Sequence, residues 1–427
     1  MNIERSSTKK RISISDLRPG MYVIGLDRSW LQTPFLFHRK HIRSQDEIAK
    51  FHKHGIREVV IDTQRGADVD DRPAMTTDEP ARAGIVQTPA PSKSTVAARP
   101  LSAAELAFQP LAKELDVARA IHDEALSAAQ VIFDGVAGGA PIDSQIAQHV
   151  VAKLMDSITR SPEANLLLMQ MRRFQSDLFT HAVNVCVLSL VVATLEELAD
   201  DLSALGMAAL LHDVGEMRLP RTLIRKRNGF TEAEQRLIEQ HPMLGAALLS
   251  QCEDVPALVR HIVIEHHERI DGSGYPVGSR GAGVSRYSQI VAIADTYDDM
   301  LSGRNQIAHQ PTEVLRQLYL QANAGALDLD LVEKVIRGLG VYPIGSLVEL
   351  SSGERAIVLV ADRSDTIKPI VRIIVSRTGM KQLNGPIVSL AESGSVAADR
   401  RIVNVLDPRK EGIDPMAFLK IAPALAG

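Results

Sequence analysis

Aromatic residues are scarce in this chain: one Trp, six Tyr and nine Phe make up 4% of 427 residues. Ala, Leu and Val dominate instead, a bias towards helix. Only two cysteines occur, Cys186 and Cys252, and neither belongs to a C-x-x-C pair. Both fall in apolar helical patterns, so buried, reduced thiols in a reducing compartment are expected. No run of about 18 apolar residues is present, so no membrane-spanning helix is expected. The start, MNIERSSTKK, is too polar for a signal peptide, and the expectation is a cytoplasmic protein. The net charge of −4 gives no pull towards nucleic acid or a membrane surface. Its distribution is uneven, +5 over residues 1–63 and −9 over the rest, and the basic stretch reads as a solvated face. Also missing are a P-loop glycine motif and a G-x-S-x-G nucleophile motif.

What is present is 45% hydrophobic residues, enough for a real core, in a length that suggests two or three domains. Residues 1–65 read as a small α/β domain. MYVIGL (21–26) and REVVID (57–62) look like strands, with a helix between them. That helix would open at Ser44-Gln45-Asp46-Glu47, the S-x-x-E spacing of a capping box, and stop at Gly55. Residues 66–100, rich in Pro, Thr, Ala and Ser without periodicity, read as a flexible linker.

From 101 the pattern is helical, with connecting helices over 101–160 and a main helical domain over 161–340. Leu178, His181, Val185, Leu188 and Val192 share one helix face. So do Leu205, Ala208, Ala209 and His212, and further on Tyr287, Ile290, Val291, Ala294 and Asp295. Thr231 to Glu234 is a second capping box. Over 341–427 the texture turns β-rich: SLVEL, RAIVLVA and PIVRIIVS are separated by turn residues such as Ser352-Gly353. The fold class expected is mainly α, with a small α/β N-terminal domain and a short β-rich C-terminal tail.

Six of the thirteen histidines fall between 181 and 267. His181 and His212 lie on apolar faces, where an unpaired imidazole is costly. Asp177 stands four residues before His181, one helical turn away on the same face. His266 and His267 are adjacent near the end of a helix that begins at Pro256, and Asp295 joins an otherwise apolar face. Several helices therefore each point one or two N/O ligands into a shared interior. Imidazoles mixed with carboxylates suit Mn, Fe, Co, Ni or Zn rather than calcium. Asp213, beside His212, could bridge two metals through its two oxygens. His261 points away from the His266-His267 pair and reads as structural or exposed, as do the histidines at 38, 41, 52, 54, 122, 149 and 309. Asp298 and Asp299 read as a solvated or structural pair.

HDVG at 212–215, HP at 241–242, HHERIDGSGYP at 266–276 and DTYDDM at 295–300 together resemble the HD-GYP family of the HD phosphohydrolase superfamily. The resemblance covers about 160–345, and the segment 11–63 resembles the uncharacterised domain that often precedes it. It implies an all-helical core holding two or three divalent metals, commonly iron or manganese. One would take His181, His212, Asp213 and Asp295; the other would take Asp213, His241, His266 and His267. Asp177 matches a position that is Glu in members with a third metal. Asp213 and His212 would be central to catalysis, and Glu268 would orient a ligand imidazole. Asp271, Gly272, Ser273, Gly274, Tyr275 and Pro276 form the signature loop, implicated in active-site shape and in contacts with partners such as a diguanylate cyclase. The implied substrate is cyclic di-GMP, opened to pGpG by a metal-bridged hydroxide and in many members cut on to GMP. A homodimer is carried as a further expectation about partners.

The chain departs from the family pattern twice. Glu216 stands where the family has Lys, so a cation near the phosphate becomes an anion unless one such as Arg218 compensates. Arg304 matches a substrate-contacting Arg, but the basic residue that should follow is lost in Asn305-Gln306-Ile307. These changes keep two rivals open: a catalytically weak cyclic di-GMP receptor or partner-binding module, and a hydrolase of another nucleotide.

Overall fold

The computed structural model describes residues 9–26, 40–67 and 103–418, apart from 43, 54–55, 64–65, 172–176, 199, 225, 227–228, 305–307, 362–364 and 392–399. The chain divides into two units, Met1–Pro100 and Leu101–Gly427.

In the first unit, strands β1 (Lys9–Ser13), β2 (Tyr22–Leu26), β3 (Lys40–His41) and β4 (Glu58–Asp62) form an antiparallel sheet in the order β1-β4-β2-β3. Alternation decides which face is buried. Ile12, Val23, Val59 and Ile61 point inward, and Ile48 and Phe51 of α1 (Gln45–Lys53) close over them. The expected strands and helix are therefore found. The side chains of Asp46 and Glu47, and Gly55, lie outside the described residues, as does the linker beyond residue 67.

The second unit is a helical body. The long helix α2 (Ala103–Ala137) runs into α3 (Ser144–Arg160) and α4 (Pro162–Met171). At the centre lies α5 (Leu178–Leu195), packed by α2, α3, α4, α6 (Leu202–Leu211), α11 (Arg286–Ser302) and α13 (Leu329–Leu339). A helix apolar on every side must be covered on every side. One helix tests the expectation about membrane spans. α5 has the length and composition of a span, but it is buried in protein over most of its length and carries His181 and Asn184 in its apolar run. The helices of 101–160 are more than connectors, since α2 and α3 pack directly on α5, and α3 also on α6.

Shorter helices complete the body: α7 (Arg221–Ile224), α8 (Glu232–Ile238), α9 (His241–Leu249), α10 (Ala257–Glu265) and α12 (Pro311–Ala324). The Thr231–Glu234 capping box forms at the start of α8. Beyond them, β5 (Leu347–Leu350), β6 (Arg355–Val360), β7 (Ile370–Val375), β8 (Ile387–Ser389) and β9 (Ile402–Leu406) make an antiparallel sheet in the order β8-β7-β6-β5-β9. This sheet is not a loose tail. Leu347, Ile357, Leu359 and Ile374 share one core with Phe108, Leu111 and Leu115 of α2 and with Leu167 and Leu168 of α4.

Candidate metal centre

The site is assembled from helix ends. His212 caps the C-terminus of α6, His241 opens α9 directly after α8, and His266 caps the C-terminus of α10. The last carbonyls of a helix have no intrahelical partner. Each of these imidazoles supplies one. Nδ1 of His212 donates to Ala209 O at 2.8 Å, Nδ1 of His241 to Ile238 O at 2.8 Å, and Nδ1 of His266 to Val263 O at 2.7 Å. A carbonyl can only accept, so the proton sits on Nδ1 and the Nε2 lone pair is left facing inward.

The inward-facing nitrogens meet Asp213, which is 3% exposed. Its Oδ1 lies 3.2 Å from His241 Nε2 and 3.7 Å from His266 Nε2. Its Oδ2 lies 3.4 Å from His212 Nε2 and 3.7 Å from His181 Nε2. The two oxygens of one carboxylate thus face two different groups. Asp295 Oδ1 is 3.1 Å from His181 Nε2, and its Oδ2 is 3.6 Å from His267 Nδ1. Ligand atoms gather as Asp213, His241, His266 and His267 on one side and His181, His212 and Asp213 on the other. A third grouping, His181, Asp295 and Asp299, shares the His181 side.

The close packing of lone pairs is informative. His181 and His212 bring their Nε2 atoms to 3.2 Å, and His241 and His266 to 3.1 Å. In His212, His241 and His266 the Nδ1 hydrogen is committed to a carbonyl, so their Nε2 atoms and the Asp213 oxygens, all able to ligate, converge in one buried space. A cation relieves that arrangement, and a mixed imidazole and carboxylate set suits a divalent transition metal. Electrostatics agree. Burial works against the Asp213 and Asp295 charges, yet the imidazoles around them, with Arg304 at Asp213, hold both carboxyls well below their usual range. Burial pushes His266 down to about 4 and His267 well below its usual value, so both stay neutral and able to ligate. His181 is the opposite case: its bonds to Asp295 and Asp298 outweigh burial and raise it.

Beside the cluster lies a cavity of about 500 Å³. Asp213, His241, His267 and Asp295 open onto it from below, and Leu223, Ile224 and Phe230 give it an apolar side. Tyr275 lies over His267, ring centroids 4.6 Å apart.

Two segments of the chain match known families: a domain of unknown function (DUF3391) over residues 9–147, and an HD domain over 170–331. A cyclic di-GMP phosphodiesterase of Pseudomonas aeruginosa is 30% identical over 388 residues, 90% of this chain and 90% of its own length. The chain belongs to the HD-GYP family. The cyclic di-GMP phosphodiesterase response regulator RpfG of Xanthomonas campestris is 36% identical over 36% of this chain and 40% of its own length. Among solved structures, an HDG"Y"P protein from Bdellovibrio bacteriovorus aligns with 77% of this chain and 98% of its own at a TM-score of 0.44 and 17% identity.

Several HD-GYP positions behave differently from expectation. Asp177 precedes α5 instead of sharing its face with His181. It is the N-cap, its oxygens accepting from Thr180 N at 2.9 Å and Thr180 Oγ1 at 2.8 Å; it is in none of the three ligand groups, but it lines the cavity beside them. Glu268 orients no imidazole. Its carboxylate accepts from the backbone N–H groups of Val277 at 2.7 Å, Gly278 at 3.1 Å and Ser279 at 2.9 Å, so it ties down the exit of the GYP loop. Within that loop, Asp271 accepts from Ser273, Gly272 takes a positive φ of 80°, and Gly274 packs so tightly on the backbone of 267–269 that a Cβ would collide. The Tyr275–Pro276 bond is cis. Only Tyr275 of this loop reaches the cavity.

The cation facing Glu216 is Arg304, not the exposed Arg218. Arg304 gives 2.6 Å and 2.7 Å bonds to Asp213 Oδ2 and Glu216 Oε2, so the residue expected to meet substrate is engaged by the site's own carboxylates. Asn305-Gln306-Ile307 lie outside the described residues. The sequence reading missed Asp298. Of the two readings, solvated or structural, the first fails: Asp298 is 1% exposed and bonded to His181 Nδ1 at 2.8 Å. The signal was available: Asp298 stands three residues after Asp295, on the same helix face. His261 is exposed beside Glu265, and His122 is buried against Asn165, as structural histidines should be.

Proposed function

We propose that this protein is a metal-dependent phosphodiesterase that opens cyclic di-GMP to pGpG and cuts on to GMP. The observation that carries the reading is Asp213, one buried carboxylate whose two oxygens face two sets of imidazoles under an open cavity. The full-length similarity to a cyclic di-GMP phosphodiesterase supports the substrate. In this reading two iron or manganese ions are held, one by His181, His212, Asp213 and Asp295, the other by Asp213, His241, His266 and His267. Bound divalent metal supplies charge neutralisation for the phosphate and a water acidic enough to attack at neutral pH.

The chain's own residues do the rest. His212, His241 and His266 keep Nε2 free because their Nδ1 protons are committed to helix-end carbonyls. Tyr275 covers one flank of His267 and limits water there. Leu223, Ile224 and Phe230 offer an apolar wall to a nucleobase. Arg304 is the guanidinium on the cavity, and to meet a phosphate it must exchange one carboxylate for it. That competition favours a second reading, a cyclic di-GMP receptor with weak turnover. Val277, 75% exposed beside the GYP loop, is a point at which a signalling partner such as a diguanylate cyclase could dock. A cytoplasmic location and a homodimer belong to the same proposal.

Anaerobic purification, metal analysis and incubation with cyclic di-GMP test this. Two metals per chain with pGpG or GMP appearing is the expected result. Bound metal and bound cyclic di-GMP without product would establish the receptor reading instead. Absence of metal and of binding would overturn both.

A further inference from the structure

Four imidazoles aim Nε2 at the Asp213 and Asp295 carboxylates, but they are held in two ways. His212, His241 and His266 use carbonyls that helix ends leave unpaired. His181 is the fourth residue of α5, where the carbonyls of its own helix are taken by the helical ladder. Its Nδ1 partner has to come from another element. That partner is Asp298 of α11, whose Oδ2 lies 2.8 Å away. Asp298 is itself aimed: its Oδ1 accepts from Asn184 Nδ2 at 2.9 Å, and Asn184 stands one turn along α5 from His181. Asp295, one turn before Asp298 on α11, meets the other nitrogen of the same ring. The imidazole is clamped between two carboxylates from one helix.

We propose that Asp298 is a positioning residue that makes the His181 side the stronger of two unequal metal positions. Its acceptor oxygen fixes the proton on Nδ1 and aims Nε2. Its negative charge makes His181 a better electron-pair donor than the three imidazoles held by neutral carbonyls. The inference rests on the metal-site reading above. A purely structural role, fastening α5 to α11, would change stability without changing how much metal each position holds.

The test compares the full-length protein with Asp298→Asn and with the exchange pair Asn184→Asp/Asp298→Asn. In the exchange, the side-chain amide placed on α11 can still accept from His181 and donate to the carboxylate placed on α5. The hydrogen-bonded chain re-forms with the charge one link further from the ring. Mn²⁺ is the probe, read by metal content after dialysis against limiting Mn²⁺ and by electron paramagnetic resonance, with thermal unfolding as the check on folding. Asp298→Asn should weaken one of two positions by roughly 10–100-fold, and the coupled-pair signal should give way to that of an isolated ion. The exchange pair should recover part of the thermal stability lost in Asp298→Asn, since the Asn184 Oδ1 position offers the new carboxylate no second partner, but not the second Mn²⁺. Two Mn²⁺ at parental affinity in Asp298→Asn, or full recovery of affinity in the exchange pair, would overturn the inference and leave the metal-site reading standing. A parent protein that takes up no Mn²⁺ would overturn both.

Discussion

Glu216 and Arg304 show how a lost charge is compensated. With Glu216 where the family has Lys, the cation at this corner comes from Arg304 and is shared between Glu216 and Asp213. Burial opposes the guanidinium charge, but the two carboxylates outweigh it and keep Arg304 protonated. Glu216→Gln removes one charge-assisted bond, each worth roughly 1.5–3 kcal/mol. The freed arm should lower KM for cyclic di-GMP with little change in kcat, as steady-state kinetics on the metal-loaded enzyme would show. A second prediction concerns acid. His266, pushed down to about 4, stays neutral in the folded chain while its unfolded value is near 6.5. Its contribution is therefore present above about pH 6.5 and lost as pH falls towards 4, on the order of 3 kcal/mol. His181, raised in the folded state, contributes fully and constantly across that window. Metal-stripped protein should accordingly lose urea resistance between pH 6.5 and 4.

Helix ends and a single loop set the site's precision. The three carbonyl-held imidazoles need α6, α8 and α10 to stop where they do. Gly215 permits the approach of α9: a Cβ there would run into the carbonyl of His241 and the N–H of Gly245. The GYP loop is fixed by Glu268 through three backbone N–H groups. Glu268→Gln replaces a carboxylate by a group with one acceptor oxygen and leaves at least one donor unmet, costing about 2 kcal/mol. Hydrogen exchange should show the amides of Val277, Gly278 and Ser279 exchanging faster, with those of α5 unchanged.

At the scale of the molecule, residues 101–427 carry their own cores and every ligand of the site. A fragment of those residues is expected to fold and to hold the same metal per chain as the full protein, as mass spectrometry of metal content would show. Cutting after residue 340 is a different matter. It strips the sheet from Phe108, Leu111, Leu115, Leu167 and Leu168 and exposes a contiguous apolar face. That fragment should aggregate or unfold at markedly lower temperature in a solubility and thermal-unfolding comparison.

The sequence by itself determined the elements and the ligand types. Periodicity places His181 and His212 on buried helix faces, and β-branched runs divided by Ser352-Gly353 make the C-terminal strands. HHERIDGSGYP marks the family, because a pattern that long at fixed spacing is a local property of the chain. Tertiary structure decided which partner each polar group meets. Whether Asp298 is solvated or buried against His181 depends on an element distant in the chain, and whether Glu268 holds a ring or a loop depends on how the chain folds back at 277–279. Periodicity reports which side of a helix is buried. It does not report what lies across the interface, and that partner fixes each tautomer, each charge and the place where a metal can sit.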